Sequence, residues 1–300
     1  MRYPTHVKGI ILAGGTGSRL WPITQTVNKH LLPVYDKPMI YYPISTLMLA
    51  GIREILIITT PQDQSPFMNL LGDGSDFGLT INFAVQSEPK GVGEAFIIGE
   101  EFLSGDACML ILGDNIFHGV GLGTSIARTL PMIGAHIFAY EVSNPSDYGV
   151  LEITSEGAPF SITEKPTKFL SNLAVTGLYF FDGNVPSVAK KISASHRGEL
   201  EITSVIDHYL KLNSLTYTLL SRGIAWLDTG NPDALSDAIS YVRIIENRTG
   251  LKIACLEEIA FEQGWISSQQ LITAISKHEK SAYGKYLSTL VRGDPKKLDI

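Results

Sequence analysis

Arg19 and Lys29 sit in the stretch "GIILAGGTGSRLWPITQTVNKHLLPVYDKPM", residues 9–39, whose residue types point most directly to chemistry. The stretch begins as an apolar strand and passes into a loop carrying Gly14, Gly15, Thr16 and Gly17. Glycines permit positive φ and close approach by a ligand, so such a loop can expose a row of backbone N–H groups suited to phosphate. Arginine adds a planar fork for phosphate oxygens, and lysine a compact point charge. Two phosphate loops of known spacing do not fit. A P-loop needs Lys followed by Ser or Thr after its last glycine, where this chain has Ser18 and Arg19. The dinucleotide fingerprint needs a glycine at the position of Leu20. Alone, the glycine run also reads as a tight turn, and the two cations as solvated surface charges.

Four further stretches carry suitable groups. Asp114 follows the apolar run "CMLIL" at a strand's carboxyl end, where ligands gather in open α/β sheets. Asp228 lies in "AWLDTG", and "EKP" places Glu164 and Lys165 directly after an apparent strand. Gln86 follows the strand-like run "LTINFAV", with Gly91 a few residues beyond. Each has a plainer reading as a turn residue, a cap, a strand-end ion pair or a solvent-facing amide. Nucleophile elbows, H-E-x-x-H motifs and paired cysteines do not occur, and the seven histidines are scattered without zinc spacing.

The elements that must position these groups alternate along the first half. "VKGIILA" (7–13), "EILIITT" (54–60), "LTINFAV" (79–85), "CMLILGD" (108–114) and "AHIFAYE" (135–141) read as strands. Helical patterns lie between them, such as 39–50 with Gly51 as its left-handed stop. This predicts an α/β fold with an open, mostly parallel twisted sheet flanked by helices. The second half is more mixed, with strands near 148–153, 159–164 and 174–181. Asn231, Pro232 and Gly250 bound one helix, while Ser267 and Gln270 have capping-box spacing before another. A stripe through Tyr283, Tyr286, Leu287, Leu290 and Val291 reads as core or subunit contact, and "RGDPKKLDI" as a solvated tail.

The 300 residues show no linker or repeat and are read as a single domain spanning 1–300. A net charge of −6 argues against a nucleic-acid partner. Two cysteines, Cys108 and Cys255, are too few for a disulfide framework and fit a reducing cytosol. No signal segment is visible, and no apolar run approaches the ~20 residues of a membrane span. A cytoplasmic protein with no membrane partner is expected.

The opening motif resembles that of the sugar-phosphate nucleotidyltransferase family. The family's L-A-G-G-x-G-T-R-L-x-P-x-T, then K-x-L-L-P, reads here as "LAGGTGSRLWPIT" and "KHLLP", with Ser18 in place of threonine. "YDKPMIYYPISTLMLAGI", "LGDNIF", "AVTGLYFFD", "RGELEIT", "AWLDTG" and "YGKYL" are similar to its glucose-1-phosphate thymidylyltransferase branch, and the likeness spans residues 7–292. The resemblance implies a Rossmann-like nucleotidyltransferase fold with inserted sugar-binding strands and C-terminal helices. It implies a reaction of dTTP with glucose 1-phosphate that gives dTDP-glucose and pyrophosphate. That chemistry needs no protein nucleophile, because the sugar phosphate supplies its own oxygen. A UTP-using uridylyltransferase and a non-catalytic sugar-nucleotide-binding relative are the alternatives.

Residue by residue, the resemblance gives Arg19, Lys29 and Lys165 catalytic roles. It assigns Gly14, Gly15, Thr16, Gly17, Arg19, Gln86, Gly91 and Asp114 to the nucleotide. Asn115, Tyr148, Gly149, Glu164, Lys165, Val175 and Gly177 fall to the sugar phosphate, and Asp114 and Asp228 to Mg²⁺. Residues up to about 120 would serve mainly the nucleotide and 121–230 mainly the sugar. Residues 231–292 would form a helical assembly region of a homotetramer. The chain also departs from the branch. "GVGEAF" replaces G-L-A-Q-A-F at Val92, Gly93 and Glu94, His30 replaces a glutamine, and Ser204 ends "EITS" in place of "EITD". "FHGVGL" departs near the branch's feedback site, which puts inherited feedback control in doubt. Residues 92–103 read as one helix, with the Glu94 charge an unfavourable neighbour for a triphosphate.

Overall fold

The computed structural model describes residues 6–129, 133–195 and 197–291. The tail from 292 onward, read as solvated, lies outside them. Its strands are β1 (Val7–Ala13), β2 (Pro33–Val34), β3 (Lys37–Pro38), β4 (Glu54–Thr59), β5 (Thr80–Val85), β6 (Ala107–Leu112), β7 (Asn115–Gly119), β8 (Ala135–Glu141), β9 (Gly149–Ile153), β10 (Pro159–Glu164), β11 (Leu173–Phe181), β12 (Leu215–Leu219) and β13 (Ile224–Asp228). The helices are α1 (Tyr41–Leu49), α2 (Gln64–Leu71), α3 (Glu94–Ile98), α4 (Glu100–Leu103), α5 (Leu122–Ala127), α6 (Val185–Ala189), α7 (Ile202–Lys211), α8 (Pro232–Thr249), α9 (Leu256–Glu262), α10 (Ser268–His278) and α11 (Ala282–Val291).

The predicted open α/β sheet is present, with β6, β1, β4 and β5 running parallel. Successive aliphatic side chains of these strands enter opposite cores. Ile10 and Leu110 pack on one face with α3, α6 and α7, whereas Ile11 and Ile111 pack on the other with α1, α9 and the C-terminal helices. Burial on both faces explains why the strands read as continuous apolar runs. β11 then joins β6 antiparallel, which accounts for the mixed pattern of the second half. One edge of β11 pairs with β8 on both sides of an irregularity between Val175 and Tyr179. Its other edge meets β9 at Ala174 and β6 from Leu178 to Phe181. The β9–β10 hairpin therefore leaves the parallel layer near Gly177, and the sheet opens there.

Helix ends follow local chemistry. Asn231 accepts from the Ala234 N–H at 2.9 Å, and Gly250 closes α8 with φ 73°. Ser267 and Gln270 form the anticipated capping box. Tyr286 and Leu287 are buried within this chain, so that part of the terminal stripe is core. Among the described residues, no helix is long and apolar enough to cross a membrane.

Residues 92–103 are not one helix. α3 ends at Ile98 and α4 begins at Glu100, with Gly99 between them lying close over Ile10 and Leu56. Gly93 is helical, with φ −61°, and its N–H donates to the Leu200 carbonyl at 2.8 Å. A Cβ at Gly93 would stand 2.9 Å from that same oxygen. Helix propensity alone would make Gly93→Ala stabilising by up to about 1 kcal/mol, but the collision reverses the sign. Gly93→Ala is expected to lower stability by about 1 kcal/mol or more in urea unfolding; a rise in the midpoint would contradict the close approach.

Candidate active site

Beside Gly177, where the sheet opens, lies a cleft of about 640 Å³. Gly14, Gly15, Arg19, Gln86, Gly91, Asp114, Asn115, Tyr148, Gly149, Glu164, Lys165, Val175, Gly177 and Asp228 line it together. Thr16, Gly17 and Lys29 do not. Gly17, with φ 63°, turns the loop, and its carbonyl accepts from Thr24 Oγ1 at 2.7 Å. Lys29 lies under the loop, its Cε 3.5 Å from the position of a Cβ on Gly15. From there its ammonium pairs with the Asp114 carboxylate.

A two-stranded ribbon brings the aspartates together. β7 starts directly after Asp114 and pairs antiparallel with β13, placing Asn115 opposite Asp228. Thr229 secures the join, donating to the Asp114 carbonyl from its N–H at 3.1 Å and its Oγ1 at 2.8 Å. Asn115 Nδ2 donates to Asp114 Oδ1 at 3.0 Å. Its own Oδ1 accepts from Gly177 N at 3.1 Å and Trp226 Nε1 at 2.6 Å. Gly177 must lack a side chain, since a Cβ would stand 2.6 Å from that oxygen.

Burial alone would raise the Asp114 carboxyl, but the Lys29 ammonium overcomes this and holds it well below the usual carboxylate range. Burial and the Asp114 charge together push Asp228 up to about 6, opposed by Lys29 and Arg19. Such mutual repulsion is what a cation between two carboxylates would relieve. Among the described residues no group of three or more His, Cys, Asp or Glu side chains is placed to hold a metal. A carboxylate pair without a closed cage suits Mg²⁺, which takes one or two carboxylates together with phosphates and water.

Across the cleft, Lys165 adopts a left-handed φ of 43°, uncommon for a residue with a side chain. Its N–H donates to the Tyr148 carbonyl at 2.9 Å, holding the hairpin end against the preceding turn. Burial and nearby Glu201 raise the Glu164 carboxyl, opposed by Lys165 and Arg197. Trp226 packs against Tyr148 at a ring separation of 5.0 Å. Trp226, Arg197, Glu199 and Glu201 line the cleft but were not singled out from the sequence, although "AWLDTG" and "RGELEIT" contain them.

At the other end, Gly91 has φ 95°, and Leu200 leaves no space there for a Cβ. Gln86 Nε2 donates to Gly91 O at 3.2 Å and to Glu94 Oε2 at 2.8 Å. The Glu94 carboxylate is thus engaged by the Gln86 amide.

The pattern of the "Nucleotidyl transferase" family matches residues 8–243. The chain belongs to this family. It is 52% identical over 285 residues to a glucose-1-phosphate thymidylyltransferase of Mycobacterium tuberculosis, covering 95% of this chain and 99% of the relative. It is 51% identical over 287 residues to the Neisseria meningitidis protein of that name, covering 95% and 100% respectively. A solved Bacillus anthracis chain assigned the same name, in complex with a sucrose, is similar at 40% identity and a TM-score of 0.73. That match covers 79% of this chain and 95% of the other.

Within this nucleotidyl transferase, His30 occupies a structural place. Its ring is buried, with Nδ1 2.7 Å from Asn28 Oδ1, and a Cβ on Gly113 would stand 2.7 Å from its Cδ2. Burial, and secondarily the Lys29 charge, lowers its pKa to about 3. The folded value lies below the unfolded value of about 6.5, so the contribution to stability is complete above that pH and declines as pH falls toward 3. At pH 5 this withdraws about 2 kcal/mol from the folded state. His30→Gln should therefore lose that much less stability between pH 7 and pH 5 in urea unfolding. Equal losses for both proteins would contradict a neutral buried imidazole.

Proposed function

We propose that this chain transfers a thymidylyl group from dTTP to α-D-glucose 1-phosphate, giving dTDP-glucose and pyrophosphate. The observation that carries this reading is the Asp114–Asp228 pair, joined by one ribbon, with Lys29 and Arg19 acting on it and Lys165 lining the same cleft. A phosphate oxygen of the sugar phosphate attacks the α-phosphorus, the bond to the bridging oxygen breaks, and pyrophosphate leaves. Two polyanions must meet in line for this, so screening and positioning dominate.

Asp114 and Asp228 would hold Mg²⁺, which when bound screens the phosphates and stabilises charge at the α-phosphorus. The N–H row of Gly14, Gly15, Thr16 and Gly17 and the Arg19 guanidinium receive the triphosphate. Lys29 adds positive charge beneath Gly15. Lys165 receives the sugar phosphate, while Glu164 accepts hydrogen bonds from sugar hydroxyls. Tyr148, Gly149, Val175 and Gly177 shape the sugar pocket. Asn115 holds Asp114 in place from the pocket wall, and Gln86 and Gly91 meet the pyrimidine edge. Residues up to about 120 serve mainly the nucleotide, 121–230 mainly the sugar, and the C-terminal helices assemble a homotetramer.

The test is a panel of nucleoside triphosphates against sugar 1-phosphates with both products measured. dTTP with glucose 1-phosphate is expected to give the highest kcat/KM, and absence of both products would defeat the reading. Asp114→Asn and Asp228→Asn should each lower turnover by at least about 10²-fold, since each removes a negative ligand at nearly constant size. Arg19→Ala should raise KM for dTTP more than for glucose 1-phosphate, with Lys165→Ala doing the reverse. Equal losses on both substrates would contradict that division.

A further inference from the structure

We infer that Gly93, on the nucleotide side of the cleft, is a positioning residue for the sugar phosphate. Lacking a side chain, it lets the segment 197–201 close against its loop and so fixes where Arg197 stands. The inference rests on the proposed function in placing the sugar phosphate beside Glu164 and Lys165.

Two walls of the cleft meet at Leu200. The loop after β5 supplies Pro89, Gly91 and Val92, and the segment before α7 supplies Arg197, Glu199 and Glu201. Leu200 joins them through both of its backbone groups. Its N–H donates to the Lys90 carbonyl at 2.7 Å, and its carbonyl accepts from the Gly93 N–H at 2.8 Å. A Cβ on Gly91 would stand 2.6 Å from Leu200 O, and one on Gly93 2.9 Å from the same atom. Gly91 also needs glycine for its φ of 95°, whereas Gly93 has a helical φ of −61°. At Gly93 the backbone admits a side chain, and the approach of Leu200 opposes it.

The two walls are not equally firm. The Gln86 N–H donates to Thr59 O at 2.8 Å, tying the start of the nucleotide loop to β4. The loop's end runs into α3, whose Ala95 and Phe96 are fully buried. The other wall is a turn that closes on itself, through Ser195 N–H to Glu199 O and Gly198 N–H to Ser195 O, both at 2.8 Å. A group added at residue 93 therefore displaces Leu200. Ordinary contact begins near 3.4 Å, so the Leu200 carbonyl must withdraw by about 0.5 Å. Glu201 already caps α7, so the movement passes toward the turn that carries Arg197.

The Arg197 guanidinium spans from that turn to Glu201 at 2.8 Å, with Glu199 at 3.5 Å and Glu164 at 4.0 Å. Leu200 lies between Arg197 and Glu201 in the chain, so its position sets the geometry of this pair. Beside Glu164, Arg197 brings a second cation to the Lys165 side of the cleft, and a planar fork must be aligned to meet phosphate oxygens in pairs. A substitution on the nucleotide loop thus reaches the other substrate. The thymidylyltransferase motif carries alanine at this position, so Gly93→Ala is compatible with the fold, and the nearer approach of Leu200 belongs to the glycine of this chain.

The experiment measures kcat and both KM values, for glucose 1-phosphate and dTTP, in wild type, Gly93→Ala and Gly93→Val. KM for glucose 1-phosphate should rise at least about threefold in Gly93→Ala and further in Gly93→Val, since a misplacement of about 1 Å can cost about 10²-fold. KM for dTTP and kcat should stay within about twofold. In an Arg197→Ala background, Gly93→Ala should raise KM for glucose 1-phosphate by less than about twofold, because the two changes share one effect. A merely structural role would lower the urea midpoint and leave both KM values unchanged; that result overturns the inference while leaving thymidylyl transfer intact. So does an equal rise in both KM values, or a full further rise without Arg197. If neither variant folds, wild type decides by hydrogen exchange at the Gly93 and Leu200 amides, compared between bound dTDP and bound dTDP-glucose. Slower exchange with dTDP-glucose supports the inference, and equal rates overturn it. Wild type inactive with every triphosphate overturns both this inference and the thymidylyl-transfer reading.

Discussion

The ion pair between Lys29 and Asp114 joins the glycine-rich loop to the end of the parallel sheet, with side-chain exposures of only 12% and 11%. A carboxylate this far from water keeps its charge only when a cation and hydrogen bonds replace its solvation, and removing one partner of such a pair costs about 3–5 kcal/mol. The pair therefore constrains its surroundings. For Lys29 to reach Asp114 the chain must fold back beneath Gly15. Asn28 fixes that return, donating to Asp63 Oδ2 at 2.8 Å and accepting from the His30 N–H at 2.9 Å. The other side of Asp114 is held by Asn115, whose oxygen collects donors from β11 and β13. One buried charge thus ties the loop, the central sheet and the ribbon into a single geometry, which keeps the cleft's polar groups in register.

What the sequence revealed depended on the range of the forces involved. The parallel strands were legible because burial on both faces removes polar alternation, a property written into each run. The caps at Asn231 and Ser267 were legible because their bonds close within one turn. The β7–β13 ribbon was not, because its five-residue strands carry no long pattern and pair across about a third of the chain. α7 escaped notice for another reason: Ile202, Val205, Ile206 and Tyr209 have helical spacing, but the β-branched Ile202, Val205 and Ile206 blur the signal. Residues 92–103 kept a helical pattern on both sides of Gly99, and only the close strands beneath reveal the break.

The site was legible mainly as a set of motifs. Residue types and spacing alone left Asp114 and Asp228 as either turn residues or ligands, and the family resemblance brought them together. Neither source disclosed the bond between Glu94 and Gln86. In sequence Glu94 is a charge in a helix's first turn; its orientation toward the strand end follows from Gly93 packing under Leu200. Arg197 was equally hidden. Its guanidinium binds Glu201 at 2.8 Å and lies near Glu199 and Glu164, an arrangement that requires the segment before α7 to reach the cleft.

Folding this chain brings like charges together in the cleft, and its pH behaviour follows from that crowding. Asp228 has a folded value near 6 against an ordinary carboxylate value near 4, so the folded state binds the extra proton between those limits. Stability from this group therefore falls as pH rises through that window. His30 acts in the opposite sense over much of the same range, because its folded form refuses the proton. The two buried groups oppose each other, and the cores on both faces of the sheet must outweigh the remaining repulsion. Positive charge entering between Asp114 and Asp228 favours the deprotonated form of Asp228 and relieves the repulsion at its source. A ligand bringing that charge binds the folded chain and not the unfolded one, so its binding free energy adds to the folding free energy. The crowding that costs the fold stability would thus give a cation placed there part of its affinity.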